Sequence, residues 1–353
     1  MLPKQSQRKV IAVPLPKTHK LDYPKSLICI HCGLPDAACI AYPRSPSMPS
    51  LITHHIFGED AVQRLPEGLV DGEEELLAFL LGNEGSDPFF VRFSTIPARV
   101  AACRHLAHDM HASHVTKAFG DIRSSVGYLP VEDERIGRAF ALGLLGHYVL
   151  DRTAHPLIYA QQYALLEQPG LSDATHEIHA IIESDIDSWI LWEKRHVTVL
   201  EHHPASDLMR TARIDRVGGT IFSQVALAVF GLNVGPEEYG AAVSDYQWVY
   251  RRIEPAGSAK TRLIGAVERL ARPHSMAESF AHRVTESDEC VSANLERREW
   301  TNPFTGEKRH ASFADLFEEA LGAYPQLAEA FVRGDRERFD KIVGGLNYDG
   351  RPV

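Results

Sequence analysis

The chain has 353 residues, of which 44% are hydrophobic and 24% are charged, as is typical of a globular protein that buries a core. Lys and Arg total 37 while Asp and Glu total 47, which gives a net charge of −10. This acidity excludes a general attraction to nucleic acid or to an anionic membrane, and no apolar run is long enough to cross a bilayer. We therefore expect a soluble, cytoplasmic protein with no stable nucleic-acid partner and at most peripheral membrane contact.

Residues 1–47 differ in composition from the rest of the chain. They contain seven prolines and show no sustained helical or strand period. The short apolar run after Lys25 is interrupted by polar residues, Gly and Pro, so it does not make a convincing signal peptide. We predict that 1–47 is a poorly ordered N-terminal extension whose place in the native protein is open, and that residues 48–353 form the folded domain.

From residue 50 onward, apolar residues recur at helical spacing and strand-like alternation is scarce. Four acids at the start of the segment 71–82 suit the first turn of a helix, which Gly82 ends. Later helices are predicted at 97–119, 132–162, 174–195, 205–230, 236–253, 257–271, 275–297, 312–322 and 325–345. The segment 300–306 is predicted to be a turn-rich loop. The sequence thus predicts an all-α multi-helix bundle.

Two of these helices carry His and acidic residues at helical spacing. His147, Asp151 and His155 lie at positions i, i+4 and i+8 of an otherwise apolar helix, so they share one face. His179 and Glu183 repeat the i, i+4 spacing among isoleucines. Each pair alone is compatible with an intrahelical hydrogen bond. Together, two apolar helices with such stripes favour a metal site in the core of the bundle.

Shorter segments upstream carry further candidates. The loop Gly82–Phe90 contains Asp87, the segment Leu106–His111 ends in His111, and Thr53 precedes the pair His54-His55. The ordered set of Thr53-His54, Gly85-Ser86-Asp87-Pro88-Phe89-Phe90, Met110-His111, Gly146–Pro156 and His179–Glu183 resembles the zinc-dependent phospholipase C family. The resemblance implies His54 rather than His55, because His54 follows Thr53 as in the family. That family shares an all-α trizinc fold with the S1/P1-type nucleases and with the amino-terminal domain of glycosylphosphatidylinositol-specific phospholipase D.

The resemblance implies a polynuclear zinc site within residues 48–195. Asp87, His111, His147 and Asp151 would hold one zinc ion, and Asp151 would bridge to a second that it shares with His54. His155, His179 and Glu183 would hold a third. Secreted members complete one site with an amino-terminal tryptophan, whereas the first tryptophan here is Trp189. Two or three zinc ions are therefore both expected outcomes.

Imidazole and carboxylate ligands together suit Zn²⁺ better than Mg²⁺. The resemblance implies a phosphodiester hydrolase, most similar to phospholipase C, in which Asp87 orients or deprotonates the attacking water. The substrate is expected to be a phospholipid or another phosphodiester. Asp187 and His176 are expected to support the ligands, and helices within 205–353 to shape the substrate cleft, with Trp300 or Phe304 at its rim.

Four alternatives stay open at the sequence level. An S1/P1-type nuclease would use the same ligands. An HD-type phosphohydrolase would depend on His105 and on the dipeptide His108-Asp109. A di-iron carboxylate bundle would be richer in Glu and spaced by three residues. A non-catalytic helical protein would hold structural zinc in a closed site.

Overall fold

The computed structural model describes residues 50–353, so the prediction for residues 1–47 lies outside the described range. Over this range the chain is an all-α multi-helix bundle, as predicted from the sequence. A short antiparallel hairpin pairs β1 (Trp300–Thr301) with β2 (Lys308–Arg309). The α-helices of the described range are α1 (Leu51–Val62), α2 (Glu73–Gly82), α3 (Pro97–Ala112), α4 (Val115–Gly127), α5 (Val131–Leu166), α6 (Thr175–Arg195), α7 (Ala212–Phe230), α8 (Glu238–Ile253), α9 (Ala259–Glu268), α10 (Met276–Phe280), α11 (Phe313–Arg333) and α12 (Arg336–Val343).

The helix α5 occupies the centre of the bundle and packs against α2, α6 and α11. Its approach to α2 depends on two glycines. A Cβ on Gly82 would lie 2.3 Å from Phe140 O, and a Cβ on Gly143 would lie 2.1 Å from Phe79 O. Because neither position has room for a side chain, the two backbones touch. This contact brings the turn that follows α2 against the middle of α5. Among residues 50–353, no helix is both long and apolar enough to span a bilayer.

Two predicted helices are shorter than expected. The helix predicted at 97–119 is divided into α3 and α4, because Ser113 is extended and His114 adopts a left-handed conformation with φ of 60°. The helix predicted at 275–297 ends at Phe280. Soon after it, His282 is held between two buried carboxylates by hydrogen bonds of 2.7 and 2.9 Å, which fix the chain in an irregular path.

One predicted break is absent. The sequence placed a boundary between 322 and 325, whereas α11 continues through Pro325. Proline removes one backbone hydrogen bond from a helix interior. The continuous apolar face of α11 offsets this cost, since Leu321, Tyr324 and Leu327 are at most 1% exposed and the Tyr324 hydroxyl donates to Leu142 O at 3.0 Å. The prediction at 205–230 was also too long, since α7 begins at Ala212.

Candidate metal centre

The eight predicted ligand residues lie together in the core of the bundle. They come from α1, the turn after α2, α3, α5 and α6, and none is more than 8% exposed. Their nitrogen and oxygen atoms form three groups, each with all ligand atoms within 4.8 Å of one another. These buried groups could hold metal ions. The groups are His54, His147 and Asp151; Asp87, His111 and His147; and His155, His179 and Glu183.

The carboxylate of Asp151 lies between the groups. Its Oδ2 atom is 3.2 Å from His147 Nε2 and 3.6 Å from His111 Nε2. Its Oδ1 atom is 3.1 Å from His54 Nε2 and 3.6 Å from His155 Nε2. Each oxygen therefore faces a different pair of imidazoles. This is the arrangement of a carboxylate that can bridge two cations.

The remaining acids complete the two outer groups. Asp87 Oδ1 is 3.0 Å from His111 Nε2, and Glu183 Oε1 is 3.2 Å from His179 Nε2 and 3.5 Å from His155 Nε2. Ligands bound tetrahedrally to zinc at about 2.0–2.1 Å stand about 3.3 Å from one another. The observed separations scatter around that value, so the side chains are spaced to share a cation.

Hydrogen bonds to Nδ1 orient four of the five imidazoles. In each case the partner is an oxygen that can only accept, so Nδ1 carries a proton and Nε2 presents its lone pair to the centre when the ring is neutral. A ligand imidazole is commonly held in this way in metalloproteins. The four contacts are His111 Nδ1 to Ala107 O at 2.8 Å, His147 Nδ1 to Asn83 O at 3.0 Å, His155 Nδ1 to Tyr348 O at 3.0 Å and His179 Nδ1 to Gln162 Oε1 at 2.8 Å.

Several ligand atoms are buried without a hydrogen-bond partner. These are Asp87 Oδ1, His179 Nε2 and Glu183 Oε2. Leaving such atoms unpaired costs about 1–3 kcal/mol each. In addition, His111 Nε2 and His147 Nε2 are only 3.5 Å apart. A cation at each group would satisfy these atoms, so the residues present fit metal ions.

Three buried carboxylates lie at the centre, with no Lys or Arg partner among the described residues. Within residues 50–353, no Lys or Arg forms an ion pair with Asp87, Asp151 or Glu183. Burial lowers the pKa of His147 to about 4, so this ring is neutral at pH 7. Burial also disfavours charge on His155, but the carboxylates of Asp151 and Glu183 outweigh it and raise the pKa of His155 to about 9. The three carboxylates thus attract positive charge, whether as protons or as metal ions.

The turn after α2 requires glycine at residue 85. Gly85 has a φ of +61°, which most side chains disfavour, and a Cβ there would lie 2.5 Å from the His147 ring. The same turn supplies Asn83 O to that ring and places Asp87 in a 3₁₀ turn, Asp87–Val91. One tight loop therefore supplies both the glycine that packs on the His147 ring and the carbonyl oxygen that orients it.

The structure distinguishes His54 from His55. His54 faces the centre, whereas His55 points away, and its Nε2 lies 3.8 Å from both Glu59 and Asp207. Asp187, which was expected to support the ligands, does so indirectly. Its carboxylate accepts from the backbone nitrogens of Ile52 at 3.1 Å and Thr53 at 2.9 Å, and so fixes the start of α1.

The other expected contributors lie outside the three groups of ligand atoms. His176 belongs to none of the three groups, and the side chain that hydrogen-bonds His179 is Gln162. Phe304 packs on Tyr159 at 5.3 Å between ring centroids, and Tyr159 packs on His179 at 5.2 Å, so Phe304 lies at the edge of the centre. Trp300 instead donates to Ala311 O at 3.0 Å in the hairpin region.

Sequence reasoning missed the four oxygens that orient the imidazoles: Asn83 O, Ala107 O, Gln162 Oε1 and Tyr348 O. Three are backbone carbonyls, which leave no signal in residue type. Gln162 lies within the predicted helix, seven residues or about two turns beyond His155, but a single Gln carries no motif. Comparisons of the chain with protein-family models, with curated proteins and with solved structures find no match.

Proposed function

We propose that this protein is a zinc-dependent phosphodiester hydrolase, most similar in chemistry to phospholipase C. The observation that carries the proposal is the orientation of the imidazoles. Four rings have Nδ1 held by an oxygen acceptor and Nε2 aimed at shared carboxylates. Mixed imidazole and carboxylate ligands favour zinc over magnesium or calcium. The three groups would hold two or three ions, and Asp151, whose two oxygens face different imidazoles, would be a shared ligand.

The reaction that this centre supports is hydrolysis at phosphorus. Bound zinc would supply activation of a water molecule and stabilisation of negative charge on the phosphate oxygens. Asp87 would orient this water or accept its proton, because its buried carboxylate has a second oxygen besides the one that would bind metal. The water oxygen forms the new bond to phosphorus and gives up its proton. The bond between phosphorus and the leaving oxygen breaks, and the leaving oxygen takes up a proton to become the alcohol.

The rest of the centre positions these groups. The two carboxylate oxygens of Asp151 contact four imidazoles and so fix their positions relative to one another. Tyr159 and Phe304 form an apolar edge beside His179, which suits a substrate with a lipid portion. His105, His108 and Asp109, on which an HD-type phosphohydrolase would depend, belong to none of the three groups found in residues 50–353.

The first test is metal content by mass spectrometry on the purified full chain, beside a variant with His147→Ala and Glu183→Ala. We expect two or three zinc ions per chain and a sharp loss in the variant. A matched control replaces His310 and Glu299, an exposed His–acid pair 3.7 Å apart, by Ala. Zinc content of one ion or less, or an equal loss in the control, would refute the metal centre.

The second test is a substrate panel with the zinc-loaded protein. Phosphatidylcholine, single-stranded nucleic acid and a chromogenic phosphodiester are compared, with and without a chelator. Chelator-sensitive release of diacylglycerol is the expected result, and Asp87→Asn should abolish most of it. Cleavage of nucleic acid alone would assign the chain to nuclease chemistry instead. Bound zinc with no hydrolysis of any substrate would assign a structural role to the metal.

A further inference from the structure

The helix α9 and the turn that follows it present an exposed apolar stripe. Leu263, Val267 and Leu270 are 67%, 61% and 87% exposed. Leu263 and Val267 are four residues apart and share one face of α9, and Leu270 lies in the turn directly after the helix. The opposite face of α9 is anchored, because Thr261 is fully buried and donates to Ile253 O at 2.5 Å, and Gly265 is also buried. The stripe is therefore presented outward by a helix whose other side is fixed to the bundle.

Positive charge surrounds this stripe. The segment 251–274 contains six Lys and Arg and two acids, so its formal charge is 6 − 2 = +4 in a chain of −10. In the described range, Arg251, Lys260 and Arg262 have no acidic side chain within ion-pair distance, and all three are exposed. Of the two acids, Glu268 is engaged with Ser275 Oγ at 2.6 Å. The other acid of the segment is buried.

We propose that α9 and the turn after it, residues 259–272, form a docking surface for an anionic lipid bilayer. An interfacial helix combines an apolar face with Lys and Arg at its flanks, and gains from burial of the first and attraction of the second to anionic headgroups. Arg269 and Arg272 are paired with Glu278 and Glu177, so Arg251, Lys260 and Arg262 provide the positive charge that is complementary to such a surface. This inference rests on the surface of α9 and not on the proposed zinc chemistry.

Vesicle binding of the full chain tests the proposal. Sedimentation with vesicles of mixed phosphatidylserine and phosphatidylcholine is compared with pure phosphatidylcholine, at about 0.1 M salt. We expect binding to the mixed vesicles only, weakened by high salt. Equal binding to both vesicles, or none to the mixed ones, would overturn the proposal.

Two variants separate the apolar and electrostatic parts. Leu263→Ser, Val267→Ser and Leu270→Ser together should lower the partition coefficient roughly tenfold or more. Arg251→Gln, Lys260→Gln and Arg262→Gln together should lower it by about fivefold for each charge. The matched control carries the same number of exposed apolar-to-Ser changes elsewhere and should bind as the wild type does. Its positions are Leu200, Leu227 and Val291, which are 65%, 68% and 91% exposed.

A further variant separates this proposal from the enzymatic one. His147→Ala removes a ligand of the proposed centre and lies outside 259–272, so it should bind vesicles as the wild type does. Loss of binding in the control triple variant, or retention in the α9 triple variant, would overturn the assignment to α9. If the stripe instead joins two copies of the chain, the α9 triple variant would change the oligomeric state measured by light scattering, and the wild type would not bind vesicles. That result would overturn the proposal.

Discussion

Replacing Gln162 by Leu removes the oxygen that accepts the Nδ1 proton of His179 at 2.8 Å. Gln162 is 1% exposed, and its amide nitrogen donates to Thr175 O at 3.0 Å, which fixes the amide so that Oε1 faces the ring. Without this acceptor the ring is free to rotate or to move its proton to Nε2, the atom that faces Glu183. We therefore expect weaker binding of the metal ion that we propose for the group of His155, His179 and Glu183.

The size of the effect follows from the contact that is lost. Loss of an outer hydrogen bond to a ligand imidazole lowers metal affinity by about 10–100-fold, or roughly 1.4–2.7 kcal/mol. The metal-free protein also becomes less stable by about 1–3 kcal/mol, because a buried N–H is left unpaired. The two effects are separable, since only the first appears as a smaller increase in stability when zinc is added.

The assay is urea unfolding of the wild type and of each variant, with and without zinc, together with chelator competition for affinity. Gln161→Leu is the control, because Gln161 donates to Ser292 O at 2.8 Å on a different face of α5. It should lower stability without changing zinc affinity. Gln162→Glu keeps an acceptor and should keep most of the affinity. If Gln162→Leu binds zinc within twofold of the wild type, the orienting role of Gln162 is refuted.

Two further predictions concern other parts of the bundle. Gly85→Ala should displace the His147 ring and lower zinc content, because the new Cβ would lie 2.5 Å from that ring. Gly120→Ala is the control: a Cβ at residue 120 would have no atom within 4 Å, so this variant should bind zinc as the wild type does. Equal zinc in both variants would contradict this. His282→Gln tests a buried ion network in which burial opposes charge but two carboxylates outweigh it and raise the pKa of His282 to about 10. Since the unfolded pKa is near 6.5, the charged ring stabilises the fold fully below about pH 6.5, and this contribution declines as the pH rises toward 10. The loss of unfolding free energy in His282→Gln should therefore be largest near pH 6, at about 3–5 kcal/mol, and a loss that is independent of pH would refute the assignment.

The sequence predicted the local part of the centre better than the distant part. His147, Asp151 and His155 share a helix, so their relation follows from the helical repeat alone. Asp87 and His54 have no such neighbours, and only the family resemblance linked them to the stripe. What brings them together is the contact of α2 with α5 and the fixing of α1, and neither leaves a period in the sequence.

The errors in helix boundaries have a common physical origin. A Gly or Pro normally indicates the end of a helix, but the residues between α3 and α4 are Ser113 and His114. The break between these two helices could therefore not be predicted from residue type. Conversely, Pro325 indicated a break that the buried face of α11 overrides. The irregular path after Phe280 depends on His282 binding two distant carboxylates. In each case tertiary contacts decide against local propensity.

The carbonyl of Tyr348 that holds His155 has a consequence for the biosynthesis of the protein. The residues that build and orient the centre extend from His54 to Tyr348, a separation of 348 − 54 = 294 positions. At translation rates of about 5–20 residues per second, roughly 15–60 s pass between the synthesis of the first ligand and that of this acceptor. During that interval the nascent chain exposes imidazoles and carboxylates before they can be fully oriented. The group that contains His155 therefore reaches the orientation that we propose for metal binding only after residue 348 has been made and folded onto α5.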